Sequence, residues 1–392
     1  MAKYRLYLCL SVLFLSVRPL FSQHGLPVVK AGSKSVAVRD GDHFDPHAWT
    51  LSPETKPDIF TADRTRKTKW VVFRTDIDSI RVKVKPGTRK DFVIVLNGRD
   101  SCLTRVQSAI PPETAPKKQP AVHDTIPFVL TEHNAICVKA VVNGTDTLNL
   151  HFDSGSFDFR FTKDAIRNKT GLTAGQTTPD YRHLAPVHTL QMGRMVWKDP
   201  EMVPTGLTAH GMDGRFGWNL FEGKAVEIDY DRSRLVIHSK PPKAEKGHAV
   251  AKIEFVRSFM CIKAVVGTGH KKYPGLFLLD TGADGAVILD SAWTAERHLD
   301  GELETIRTSV VRDPGGVKYE TRIVRLPRLK IARTGFTNVP AHLLGGPSPL
   351  GFKINYLGND LLKRFHTVID LKHDRLYLKP NKQGPLPFKG ES

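Results

Sequence analysis

The sequence predicts an all-β (mainly β) protein in which two homologous lobes follow a small antiparallel β domain. Three observations carry that expectation. Short alternating apolar runs recur along the chain, separated by turns containing Gly, Pro or Asn. After residue 120, similar segments appear twice in the same order. Each copy holds one Asp-Ser/Thr-Gly turn directly after an apolar strand.

The repeat shows in its offsets. CVKAVVNG from Cys137 matches CIKAVVGTG from Cys261 at an offset of 124, and LHFDSGSF around Asp153 matches LLDTGADG around Asp280 at 127. Residues 190–204 and 326–340 share a leading Leu and a closing Val-Pro at 136. GWNLFEGKAVEIDYDRSRLVI from Gly217 aligns without a gap to GNDLLKRFHTVIDLKHDRLYL from Gly358 at 141. Four matches in order with slowly rising offsets indicate a duplication. Lobe one is therefore assigned to residues 121–248 and lobe two to 249–392.

Ahead of the repeat, residues 69–106 alternate as KWVVFRT, SIRVKVK, DFVIVL and SCLTRV, with turns at Pro86-Gly87 and Asn97-Gly98. Residues 23–110 are read as an amino-terminal β domain of unknown role, loop-rich before residue 69. Residues 111–120, PPETAPKKQP, form a Pro-rich linker. Because the repeat begins only after this linker, both lobes are expected to be complete without the domain.

Bulk composition narrows the class. A chain of 392 residues with 40% hydrophobic and 25% charged content is that of an ordinary folded protein, which excludes disorder and collagen-like repeats. Lys3 and Arg5 precede an apolar run over residues 7–17, and Ser22 offers a small residue at a cut before Gln23, so residues 1–22 read as a signal peptide. That run is too short to cross a hydrocarbon core of about 30 Å. A secreted or periplasmic protein is expected, with no transmembrane segment after signal cleavage. The net charge of +18 is spread along the chain and accompanies no nucleic-acid motif, so no nucleic-acid partner is expected. Without Cys9, three cysteines remain, Cys102, Cys137 and Cys261, so at least one thiol stays outside any internal disulfide. None has zinc-site spacing, and His43 and His47 read as loop histidines; no metal and no cofactor are expected.

Asp280 ends the apolar run LFLLD, where an isolated charge is costly to bury. Roughly 0.1 to 0.2 Asp-Ser/Thr-Gly triplets would occur by chance in a chain of this length. Two at equivalent places in a repeat point to Asp153 as the partner. If the lobes meet about a pseudo-twofold axis, two close carboxyls share one proton, one acting as general base and the other as general acid. Asp153 and Asp280 are the catalytic candidates. Gly155 and Gly282 permit tight turns, while the Ser154 and Thr281 hydroxyls can bond across to the opposite lobe. Ser156 and Ala283 complete the supporting turns. The Ser156 hydroxyl is expected to donate to Asp153 and so make it the ionised member.

LLDTGADGAVIL resembles the active-site stretch of retropepsin-like aspartic proteases. Arg215-Phe216-Gly217 and Tyr356-Leu357-Gly358 sit where that superfamily carries two apolar residues and a glycine. With both lobes in one chain, residues 121–380 are similar to the secreted bacterial members with tandem lobes. The resemblance implies two retropepsin-like β-barrel lobes in a bilobal, pepsin-like arrangement, and an aspartic endopeptidase acting on a peptide or protein substrate. It also implies substrate flaps, for which the candidates are Tyr181 in GLTAGQTTPDYRHL and the turn with Gly315 and Gly316 in SVVRDPGGVKYETRIV. A monomer is expected because one chain supplies both lobes. The alternative is a non-catalytic peptide- or protein-binding protein on the same scaffold.

Overall fold

The computed structural model describes residues 25–112, 123–181, 183–208, 211–243, 246–312, 318–346, 348 and 350–389. The expected signal peptide and most of the Pro-rich linker lie outside the described residues. Strand makes up 52% and helix 7%, so the chain is mainly β. No helix among the described residues is long and apolar enough to cross a membrane.

The amino-terminal unit is a sandwich of two four-stranded sheets. One runs Val28–Ala31, Arg89–Leu96, Asp100–Ser108, Asp58–Ala62; the other runs His43–Thr50, Ser35–Asp40, Lys69–Arg74, Ser79–Val84. Alternation puts Phe73 on one inner face and Phe92 on the other, and their rings meet edge to face with centroids 5.3 Å apart. Two expectations are corrected. The segment before residue 69 supplies four strands, and Val28–Ala31 and Asp58–Ala62 pair in parallel, so the first sheet is mixed. Three of the four, all but Ser35–Asp40, escape pattern reading because they are edges. Only Val29 and Ala31 of the first are buried, and the edge strand His43–Thr50 contains Pro46 opposite a register shift.

In lobe two, the sheet order is Glu254–Val256, Phe259–Thr268, Lys271–Asp280, Asn355–Gly358, Val287–Leu289, Thr334–Leu344, Lys318–Ile331, Thr305–Arg312. Phe259–Thr268 also pairs with Lys318–Ile331, which closes the sheet on itself as a barrel. Lobe one repeats the central part: Ile136–Val142, Asp146–Phe152, Gly214–Phe216, Phe159–Thr162. Lobe one is a half-barrel with a break where Thr334–Leu344 is continuous: Met195–Lys198 pairs with Thr189–Met192, and Val203–Thr205 pairs with Phe159–Thr162. Both lobes continue from a short strand into a capped helix, Val287–Leu289 into Ser291–Ala295 in lobe two, which then builds its long hairpin, and Phe159–Thr162 into Lys163–Lys169 in lobe one. Thr162 caps that helix by accepting from the Ala165 N–H, and a short 3-10 turn, Gly171–Thr173, follows.

The closing hairpins of the two lobes join in one six-stranded sheet, where Ala225–Asp229 of lobe one pairs antiparallel with Phe365–Asp370 of lobe two. In that ladder Glu227 faces Val368. At the repeat offset of 141 these are equivalent residues, so the pseudo-twofold axis passes between them. One continuous apolar core runs through both lobes.

Candidate active site

Each acidic turn follows a strand whose last residues are buried: Leu150, His151 and Phe152 before Asp153, and Phe277, Leu278 and Leu279 before Asp280. A parallel neighbour fixes each strand end. Phe152 pairs with Phe216, and Leu279 with Leu357, reproducing the repeat offsets of 127 and 141. Within the turns, Asp153 Oδ1 accepts from the Gly155 N–H at 2.9 Å, and Asp280 Oδ1 accepts from the N–H groups of Gly282 at 2.9 Å and Ala283 at 3.2 Å.

The two carboxyls come together at the turns: a single point, the Cβ position of Gly282, lies 2.9 Å from Asp153 Oδ1 and 3.0 Å from Asp280 Oδ1. Glycine is required on both sides: a Cβ on Gly155 would lie 2.8 Å from Asp280 Cγ, and one on Gly282 would lie 2.9 Å from Asp153 Cγ. Burial, and after it the charge of Asp153, pushes Asp280 above the ordinary carboxylate range; the amides of Gly282 and Ala283 oppose this. Two carboxyls this close resist ionising together and share one proton.

Ser154 and Thr281 lock the turns reciprocally. Thr281 Oγ1 donates to Phe152 O at 2.8 Å and accepts from the Ser154 N–H at 2.9 Å; Ser154 Oγ donates to Leu279 O at 2.8 Å and accepts from the Thr281 N–H at 3.0 Å. The neighbouring His151 sets its Nε2 at 3.3 Å from Thr281 O. A carbonyl only accepts, so that nitrogen carries a proton.

Ser156 corrects the expectation placed on it. Its hydroxyl donates to Asp158 Oδ1 at 2.6 Å and not to Asp153. Asp158 is the stronger acceptor because it is a fixed anion: burial works against its ionisation, but Arg215, Ser156 and Arg160 outweigh burial and hold it below its ordinary range. Sequence reasoning overlooked Asp158 and Arg160; the charged pair just after the turn was the available signal. Arg215 is the larger surprise. Its guanidinium lies 3.7 Å from Asp153 Oδ2 and 3.4 Å from Asp158 Oδ1. Tyr356, at the matching position of lobe two, is a buried phenol whose ionisation is pushed up by burial.

The flap candidates diverge. In lobe two, Thr305–Arg312 and Lys318–Ile331 form an antiparallel hairpin, with Gly315 and Gly316 outside the described residues. Among the described residues no hairpin forms around Tyr181. Its ring packs on the lobe-one core under the Lys163 ammonium at 5.2 Å, which corrects its assignment to a flap. Among the described residues no group of three or more His, Cys, Asp or Glu is arranged to hold a metal ion. A cavity of about 1070 Å³ lies apart from the carboxyl pair, between Arg89 and Gln107 of the amino-terminal unit and Phe157, Asp158 and Trp197 of lobe one.

Fold and site together define a two-lobed, mainly β chain with a paired-carboxyl centre on its pseudo-twofold axis. It is similar to the crystal structure of the aspartic proteinase from Irpex lacteus, with 14% sequence identity and a TM-score of 0.44, covering 68% of this chain and 100% of that one. No family model and no curated protein matches the sequence.

Proposed function

We propose that the chain is an aspartic-type endopeptidase, secreted or periplasmic, that hydrolyses peptide bonds at Asp153 and Asp280. The observation that carries this reading is the close approach of the two carboxyls across the lobe seam, each within 3.0 Å of where a Cβ on Gly282 would sit, on turns locked to one another by Ser154 and Thr281. Ionised Asp153 takes a proton from a water held between the pair, and the water oxygen attacks the peptide carbonyl carbon. Asp280 gives its proton to the carbonyl oxygen, forming a tetrahedral diol. On collapse the C–N bond breaks, Asp153 passes its proton to the leaving nitrogen, and Asp280 regains one from a diol hydroxyl. Phe157, 39% exposed and edge to face with Phe259 of lobe two, offers an apolar wall beside the turn for a substrate side chain.

A peptide-binding role without cleavage is the second reading. Arg215 beside Asp153 favours it, because a cation weakens a general base. Digestion of a peptide library across a range of pH separates the two: cleavage is expected from the native chain and from neither Asp153→Asn nor Asp280→Asn. Cleavage surviving either substitution would refute the shared-proton mechanism, and no cleavage at any pH would leave the binding role.

A further inference from the structure

We infer that Arg215, braced by Asp158, is the positioning residue that divides the roles within the dyad, keeping Asp153 ionised and leaving the proton on Asp280. The inference deepens the endopeptidase reading and rests on it for its catalytic meaning, though not for its test. The two turns are related by the pseudo-twofold axis, so the backbone alone should treat the two carboxyls nearly alike. The residual backbone difference runs the wrong way. Asp280 Oδ1 receives two turn amides and Asp153 Oδ1 receives one, which by itself would favour charge on Asp280.

The symmetry is broken by the side chains at one pair of equivalent positions. Arg215 stands on Gly214–Phe216 beside His151 on one neighbouring strand and Arg160 on the other; Tyr356 stands on Asn355–Gly358 beside Leu278 and Ile288. Lobe one therefore presents a permanent cation to its carboxyl, and lobe two presents a neutral phenol. Arg215 is also confined. Asp158 Oδ1 holds it at 3.4 Å, while Asp158 is itself fixed by Ser156 on Oδ1 and Arg160 on Oδ2. The charged and titratable groups facing Arg215 are thus Asp153, Asp158, Arg160 and His151, with Asp280 beyond Asp153. A cation this close typically moves a carboxylate by about one to three pH units, more than one extra amide contact at 3.2 Å offsets.

The test is a carboxyl-carbon NMR titration of the full protein labelled at aspartate, with the dyad signals assigned by their loss in Asp153→Asn and Asp280→Asn. Arg215→Met is expected to raise the lower apparent pKa of the pair by roughly one to three pH units. Arg215→Lys, which keeps the charge, should restore most of it. Asp158→Asn removes an opposing anion and should move the same pKa down. An unmoved titration in Arg215→Met with a native unfolding midpoint overturns the inference, as does a change of the same sign in Asp158→Asn. If Arg215→Met fails to fold, Arg215→Gln takes its place, with the same rise expected and an unmoved titration overturning the inference. None of these readings needs cleavage. A protein that titrates as expected but cuts no peptide refutes the endopeptidase reading alone, and one that cuts peptides with an unmoved titration refutes this inference alone.

Discussion

Arg64 of the amino-terminal unit pairs with Glu222 of lobe one, Nε to Oε2 at 2.6 Å, with side chains only 1% and 5% exposed. The same guanidinium reaches Asp374 and the carbonyl of Leu371 in lobe two, both at 2.8 Å, and lies over the Phe255 ring at 3.8 Å. Its own N–H donates to Ser258 Oγ at 2.9 Å. The unit is thus pinned into the seam between the lobes by a buried cation.

Breaking such a pair strands a buried charge, at a cost of about 3–5 kcal/mol. Arg64→Met should lower the urea midpoint accordingly, and adding Glu222→Gln should recover part of the loss by removing the stranded carboxylate. A chain beginning at Ala121 lacks the pin and should unfold at lower denaturant than the full protein. Equal midpoints would show that the unit is only appended, as the position of the repeat suggests.

The cross-lobe lock makes a second prediction. Thr281→Val keeps the shape but leaves Phe152 O and the Ser154 N–H without their partner, and Ser154→Ala does the same to Leu279 O and the Thr281 N–H. Each buried group left unsatisfied costs about 1–3 kcal/mol. Both variants should therefore be destabilised by roughly 2–6 kcal/mol in equilibrium unfolding, while Thr281→Ser, which retains the hydroxyl, should lose far less. A Thr281→Val protein as stable as the native one would mean that the lock contributes nothing to lobe association.

Much of this site was legible because duplication leaves a regular trace. The offsets that relate the Asp-Ser/Thr-Gly turns and the closing hairpins return as strand registers, and Ser154 and Thr281 needed only that symmetry to be paired. The same symmetry misled at Tyr181. The stretch proposed as a second flap begins with the short 3-10 turn Gly171–Thr173, and Tyr181 folds back so that its ring lies under Lys163, a contact set by the fold and not by the repeat. The pairing of Arg64 with Glu222 spans 158 residues and that of Arg215 with Asp158 spans 57, and single charged residues carry no periodicity by which to match partners so far apart. Ser156 was misread for a related reason: its local geometry allowed two acceptors, and the choice was set by charges that converge only in the fold.

The pH dependence of stability follows from Asp280. Its ionisation is pushed up by burial and by Asp153, so between the ordinary carboxylate range and its raised value the native state holds a proton that the unfolded chain has released. Stability therefore falls as pH rises through that window. Asp280→Asn retains a donor toward Asp153 and does not titrate. It should be more stable than the native protein at pH 7, by about 1.4 kcal/mol for each pH unit of that window lying below pH 7, with the advantage shrinking toward pH 4. Urea titrations at several pH values measure this, and an advantage that grows on acidification would contradict the assignment.

Glu227 should behave in the opposite sense. It stands on the pseudo-twofold axis with Oε2 at 2.8 Å from His238 Nε2 of lobe one and Oε1 at 2.9 Å from His366 Nε2 of lobe two. The imidazoles of His238 and then His366 hold its carboxyl far below the usual range, outweighing its partial burial. A depressed carboxylate contributes stability that is present above its unfolded value, near 4.3, and is lost only as pH falls through the folded one. Glu227→Gln should thus lower stability by about 1.5–3 kcal/mol, the range for hydrogen bonds to a charged group. The deficit should persist at pH 5 and should narrow only below about pH 4. His366→Gln removes the contact from lobe two alone and should show a smaller deficit than Glu227→Gln at pH 5. If the Glu227→Gln deficit instead vanishes between pH 7 and pH 5, the carboxylate is not depressed, and its bonds to the two imidazoles do not tie the lobes together.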